Sequence, residues 1–387
     1  MLLLSLFLSP MNKAAQFIQE RLQARADSGS LRKLSRLHLP VDFCSNDYLG
    51  FSRSTALKDR IENLLLQIPN LTTGSGGSRL LSGNHVFTEE TESLIAGFHH
   101  AASGLIFNSG YDANVGLVSS LAQRGDTIIS DELIHASLID GARLSHASRY
   151  TFKHNDIAAL EAKLKLATGN IYVLVESVYS MDGDLAPLTA INACCKRYGA
   201  SLIVDEAHAL GIFGKHGKGR VQELGLEQEV FARVVTFGKA LGCHGAIVLG
   251  SPALREYLIN FARSFIYTTA APIHTIVSIH AAYQLLVETD HTPIITERIK
   301  QYTLAVSSAG ITNTPSESSI QTVLYNSGVK AKFAAESLQQ KGLDVRPILS
   351  PTVPKGSERL RICLHTYNTN EEIQTLISQL VLLKQHE

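Results

Sequence analysis

The sequence predicts an α/β protein: a large domain on a mostly parallel sheet covered by helices on both faces, then a smaller α+β domain. Three observations predict it. Between residues 51 and 290, apolar runs of strand length alternate with helix-like stretches, the pattern of strands buried on both faces. Over residues 291–387 the pattern changes to helices interleaved with strands of more alternating character. The chain has 387 residues, 45% hydrophobic and 18% charged, with no low-complexity linker, which suffices for about two or three domains with a sizeable core.

Residues 1–50 read as an N-terminal arm. Its first stretch, MLLLSLFLSP, has no basic residue before it and no small-residue cleavage site after it, and it is far too short to span a bilayer. Translation is therefore expected to begin at Met11, with residues 1–10 a start-site artefact or a disordered extension. MNKAAQFIQERLQARADSG predicts a helix in the arm. In the large domain SGLIFNSG, GDTIISD, IYVLVES, SLIVDEAH, RVVTFG and GAIVLG predict buried strands. APLTAINACCKRYGA predicts a helix, because Leu188, Ile191 and Cys195 recur at helical spacing before a glycine stop. In the C-terminal domain ITERIKQYTLAVSSAG, SSIQTVLY, KFAAESLQQKG, LDVRPILS and ERLRICLH precede a final helix from Glu371.

Composition narrows the function classes. Lys plus Arg and Asp plus Glu both number 35, so nothing suggests a polyanion such as nucleic acid as partner. Zero net charge permits self-association. The five cysteines contain no C-x-x-C pair, which indicates neither a disulfide framework nor a metal site and fits a reducing cytoplasm. No membrane partner is expected.

In a parallel sheet, ligands gather at the carboxyl ends of the strands. Ser109, Gly110, His135, Ser180, Asp205, His208 and Lys239 each stand at or just past such an end. Lys239, in VVTFGKALGCHG, follows an apolar strand with no acid near it in sequence; burial there depresses an amine's pKa and makes it a nucleophile or base. Taken alone, such a lysine is more simply a strand-end residue reaching to the surface. Its company argues otherwise. Asp205 ends a buried strand, where a carboxylate needs a cation or strong donors, such as a protonated pyridine nitrogen; the plainer reading is an N-cap for the segment after it. His208 reads either as a core histidine or as a ligand contact. SGYDANVG, from Ser109 to Gly116, sets small residues between a strand and a helix, where backbone N–H groups bind anions, and Thr236 could offer its hydroxyl to the same phosphate. GSGGSRLLSGNH lacks the spacing of a dinucleotide fingerprint, and GKHGKGR lacks that of a P-loop.

NDYLG at Asn46, GSGGSRLLSG at Gly74, HASLIDGARLS at His135, SVYSMDGDLAPL at Ser177, DEAH at Asp205, TFGKALG at Thr236 and ERLRICLH at Glu358 occur in this order. Over nearly the whole chain after Met11 the sequence thus resembles the α-oxoamine synthases, pyridoxal phosphate enzymes of the aspartate aminotransferase-like fold (fold type I). The resemblance implies a mostly parallel seven-stranded sheet in the large domain. VVTFGKALG and SPTVPKGSERLR point to the branch that joins L-alanine to a pimeloyl thioester, on coenzyme A or an acyl carrier protein, in biotin synthesis. Relatives using glycine or serine with other acyl groups, and a catalytically silent partner subunit, are the alternatives.

Residue by residue, the resemblance implies that Lys239 anchors the cofactor covalently and then serves as acid and base at the substrate Cα. It implies that Asp205 keeps the ring nitrogen protonated, that His135 stacks on the ring, and that Ser180 and His208 bond its phenolic oxygen. Thr236 with the backbone of Gly110 and Tyr111 would bind the phosphate, helped by Thr268 or Thr269 of a second subunit of a homodimer. Arg361, with Asn46 nearby, would grip the amino acid carboxylate, and Arg32 would stand at the acyl-thioester entrance. Arg361 and Arg32 also admit plain surface readings. Cys243 and His244, just after the lysine, read as packing near the cofactor.

Overall fold

The computed structural model describes residues 12–34 and 39–385; the expected start at Met11 and the nature of residues 1–10 lie outside the described residues. Helix α1 (Lys13–Asp27) opens the arm, its first turn capped by the Asn12 side chain, which accepts from the Ala15 N–H at 2.9 Å. The arm then forms strand β1 (Val41–Asp42) and leads through α2 (Thr55–Leu65) and α3 (Val86–Phe98) into the large domain. There β2 (Ser103–Phe107), α4 (Gly110–Leu121), β3 (Thr127–Asp131), α5 (Ala136–Leu144), β4 (Ser148–Phe152), α6 (Ile157–Leu164), β5 (Ile171–Glu176), α7 (Leu188–Arg197), β6 (Ser201–Asp205), β7 (Ala232–Thr236) and β8 (Ala246–Gly250) succeed one another.

These seven strands form one sheet in the order β2-β8-β7-β6-β5-β3-β4. Only β8 runs against the rest, pairing antiparallel with β2 and β7. The six strands predicted from apolar runs are all present, and the predicted helix at Leu188 is α7. The exception is β4, whose SRYTF is mostly exposed. It is an edge strand, paired only with β3, and is mostly exposed, unlike the buried strand β2 at the other edge, so it carries no continuous apolar run.

In the C-terminal part, β9 (Ile320–Leu324), β10 (Leu343–Asp344), β11 (Arg346–Ile348) and β12 (Arg359–Cys363) build two small sheets, one with order β11-β12-β9 and one pairing β10 with β1 of the arm. Alternation was the expectation here, but β9 and β12 are buried along nearly their whole length. The helix Gly328–Gln340 covers one face. Against the other lies the turn after Ser180: Ser316 Oγ donates to the Gly183 carbonyl at 2.8 Å, and Arg359 pairs with Asp182. Gly183 has φ +76°, and a Cβ there would come within 2.2 Å of the Ile320 carbonyl oxygen, so only glycine lets the turn approach β9. Docking β12 here carries Arg361 to the large domain.

Register sets the site. Glu176 of β5 and Asp205 of β6 are paired neighbours, and Asp205 pairs with Val234 of β7. Two carboxyl groups therefore stand side by side at the strand ends, one strand from Thr236 and the lysine beyond it. Beneath them Glu206 accepts from the Val221 N–H at 2.9 Å and lies 3.8 Å from Arg233, both side chains being almost fully buried. Removing one partner of such a pair strands the other, so Arg233→Met is expected to lower stability by about 3–5 kcal/mol, read as an earlier denaturant midpoint. Among the described residues no helix is long and apolar enough to cross a membrane.

Candidate active site

At the carboxyl ends of the strands is a cavity of about 260 Å³ whose wall includes Asn46, Gly110, Tyr111, His135, Glu176, Asp205, Thr236, Lys239 and His244. Lys239 follows β7 on a tight segment in which the Gly242 N–H bonds the Lys239 carbonyl at 2.9 Å. Gly242 has φ +58°, and a Cβ on it would lie 2.2 Å from the Ser52 backbone nitrogen; glycine alone permits that approach. Burial pulls the Lys239 ammonium down to about 8, against the opposing pull of Asp205 and Glu176.

Asp205 accepts from Asn114 Nδ2 at 2.7 Å and from the Ala207 N–H at 2.8 Å. It thus does both things its sequence allowed: one oxygen caps the following turn and the carboxyl group faces the cavity. His135 caps α5, its Nδ1 accepting from the Ser137 N–H at 3.2 Å, and burial lowers its pKa. At the other side of the cavity, α4 starts at Gly110 with Ser109 as N-cap, leaving first-turn N–H groups without partners in the helix. A Cβ on Gly110 would come within 2.5 Å of Thr236 Cγ2, and the buried Thr236 Oγ1 has no hydrogen-bond partner.

Behind the lysine runs a chain of hydrogen bonds that the sequence reading missed. Lys239 Nζ is 2.8 Å from His208 Nε2, His208 Nδ1 is 2.7 Å from the Tyr48 hydroxyl, and that hydroxyl donates to Asn46 Oδ1 at 3.1 Å. Arg361 Nη2 donates to the same oxygen at 3.1 Å, which fixes Asn46's orientation. With its one proton directed at Asn46, Tyr48 accepts from His208 Nδ1–H, and Nε2 is left to accept from the lysine. Burial and then Lys239 hold His208 well below the usual histidine range, so it is neutral. Tyr48 lies inside NDYLG, a motif read only for Asn46; its partner is 160 residues away and leaves no local signal.

Other expected residues fall as follows. Arg361 is not a surface group: its Nε donates to the Ser180 carbonyl at 2.8 Å. Ser180 is buried but is absent from the cavity wall. Tyr111 lines the cavity and bonds Asp140. Thr268 and Thr269 meet Asn108 of their own chain, Asn108 Nδ2 donating to Thr268 Oγ1 at 3.2 Å and to the Thr269 carbonyl at 2.8 Å. Arg32 lies outside the cavity, donating to Thr352 Oγ1 at 3.2 Å in a separate groove. Cys243 turns away, its thiol bonding the Leu241 carbonyl at 3.1 Å, while His244 joins the cavity wall.

The family model for class I and II aminotransferases matches residues 40–380. The chain belongs to this family. Within it, the chain is 47% identical to the 8-amino-7-oxononanoate synthase of Emericella nidulans over 386 residues, 93% of each chain. The 8-amino-7-oxononanoate synthase of Francisella tularensis superposes with a TM-score of 0.75 at 28% identity, over 89% of this chain and 98% of that one. A serine palmitoyltransferase variant from S. paucimobilis with a bound PLP–myriocin aldimine superposes with a TM-score of 0.88 at 25% identity, over 97% and 99%. Both structures share the aspartate aminotransferase-like architecture described above.

Proposed function

We propose that this member of the family is a pyridoxal phosphate enzyme that condenses L-alanine with a pimeloyl thioester, releasing carbon dioxide and the thiol to give 8-amino-7-oxononanoate. The observation that carries the reading is the 47% identity to a synthase of that name over 93% of both chains. The residues present fit the cofactor. An amine, Lys239, faces a carboxylate, Asp205, across one cavity. The unpartnered Thr236 hydroxyl and the open N-terminus of α4 at Gly110 and Tyr111 supply phosphate donors on its far side.

When bound, pyridoxal phosphate supplies an electron sink for negative charge developing at the amino acid Cα. The protein does the rest. Asp205 would hold the ring nitrogen in its protonated form, Thr236, Gly110 and Tyr111 would hold the phosphate, and His135 would pack against the ring. Arg361, already oriented by Asn46 and the Ser180 carbonyl, takes the substrate carboxylate as a charge-assisted pair. Lys239 removes and returns the proton at Cα, for which its lowered pKa near 8 suits it. In this reading two copies associate, with the Ile266–Pro272 segment near the shared face, and the protein works in the cytoplasm.

Capture of the cofactor by the cofactor-free protein needs Lys239 neutral. Its rate, followed by absorbance, is expected to rise with pH up to about 8 and then level off. A rate that stays flat across that range contradicts the assigned role. The serine-using alternative is favoured by one observation, the higher TM-score of the serine palmitoyltransferase. Mixing the purified holoenzyme with alanine, glycine or serine and thioesters of several chain lengths tests the choice. The proposal expects product from alanine and the pimeloyl thioester; product from serine and a long acyl chain alone overturns it.

A further inference from the structure

Glu176, the last residue of β5, has no part in the mechanism above. It is 2% exposed, lines the cavity, and its Oε1 has no hydrogen-bond partner. Asp205 stands beside it in register from β6. Lys239, after β7, and the nearby backbone of His135 and Ser180 favour its charged form, against burial and Asp205.

Two carboxyl groups this close and this dry do not both ionise. Geometry decides which one keeps a proton. Asp205 accepts at both oxygens, from Asn114 and from the Ala207 N–H, and so is served as an anion. Glu176 Oε1 has no donor; an anion there would hold an unmatched acceptor. Burial, then the proximity of Asp205, push its pKa well above the carboxylate range. A protonated Oε1 needs an acceptor, and the cavity that Glu176 lines is where one arrives.

We infer that Glu176 is a carboxylic acid whose O–H donates to an acceptor atom of the molecule bound in the cavity. The group thereby places a neutral donor beside Asp205 without adding a second negative charge. This role rests on the proposed reaction site, whereas its protonation does not.

Infrared difference spectra between the cofactor-free wild type and Glu176→Gln at neutral pH test the protonation directly. The expected difference is one lost carbonyl band of a protonated carboxyl group; loss of carboxylate bands instead overturns the inference. Loading the wild type with pyridoxal phosphate and alanine is expected to lower that band's frequency, and an unmoved band overturns the donor role. Glutamine keeps a carbonyl acceptor and an N–H donor in place, so Glu176→Gln should lose less kcat/KM than Glu176→Leu, which removes both. A glutamine variant that falls as far as the leucine one would mean that a negative charge is needed. Should the chain form no 8-amino-7-oxononanoate at all, the infrared result on the cofactor-free protein still decides the state of Glu176.

Discussion

Replacing Lys239 with Ala is expected to end product formation and covalent retention of the cofactor together. The proposal gives the residue both tasks because, among the described residues, it is the one lysine lining a cavity that also holds Asp205, Thr236 and the start of α4. Loss of a general acid–base group alone costs about 10²–10⁴-fold, and losing the covalent anchor as well puts the expected fall at the upper end or beyond. Borohydride reduction before mass spectrometry reads the anchor separately: the wild type gains the cofactor's mass and the variant does not. Since Lys239 is half-buried and bonded to His208 at 2.8 Å, alanine leaves His208 without that partner but creates no buried charge, so the variant should fold. A turning-over Lys239→Ala protein would contradict the whole scheme.

Asp205→Asn carries the second large effect. The side chain keeps its shape, and one oxygen can still accept from the Ala207 N–H, which holds the turn. What disappears is the negative charge proposed to face the ring nitrogen, together with the oxygen that accepts from Asn114. Breaking a buried charge pair costs about 3–5 kcal/mol, or roughly two to nearly four decades in kcat/KM at 1.36 kcal/mol per decade. Steady-state kinetics with saturating cofactor separates this from weaker cofactor binding. Near wild-type turnover would mean that the reaction does not need the negative charge of Asp205.

Much of this arrangement was legible in the sequence, for physical reasons that also explain what was not. Six strands announce themselves because burial on both faces demands unbroken apolar runs such as IYVLVE; β4 does not, because an edge strand tolerates the polar SRYTF. Asp205 and Lys239 could be read from their positions past strand ends. Their meeting depends on the pairing of β6 with β7, which no local pattern encodes. Tyr48 and Glu176 escaped notice for opposite reasons. The tyrosine acts through a histidine distant in sequence, and the glutamate looks like an ordinary strand terminus until its neighbour in the sheet is known. Arg32, Thr268 and Thr269 were implied by resemblance alone, and within one chain they lie apart from the cavity wall.

The family to which this chain belongs takes its name from amino transfer, whereas the proposed reaction requires carbon–carbon bond formation with loss of the amino acid's carboxyl carbon. Alanine labelled at that carbon, supplied with the pimeloyl thioester, separates the two chemistries most directly. Decarboxylative condensation predicts that all of the label leaves as carbon dioxide while the amine and Cα appear in 8-amino-7-oxononanoate. Label retained in pyruvate, with no amino ketone formed, would contradict it.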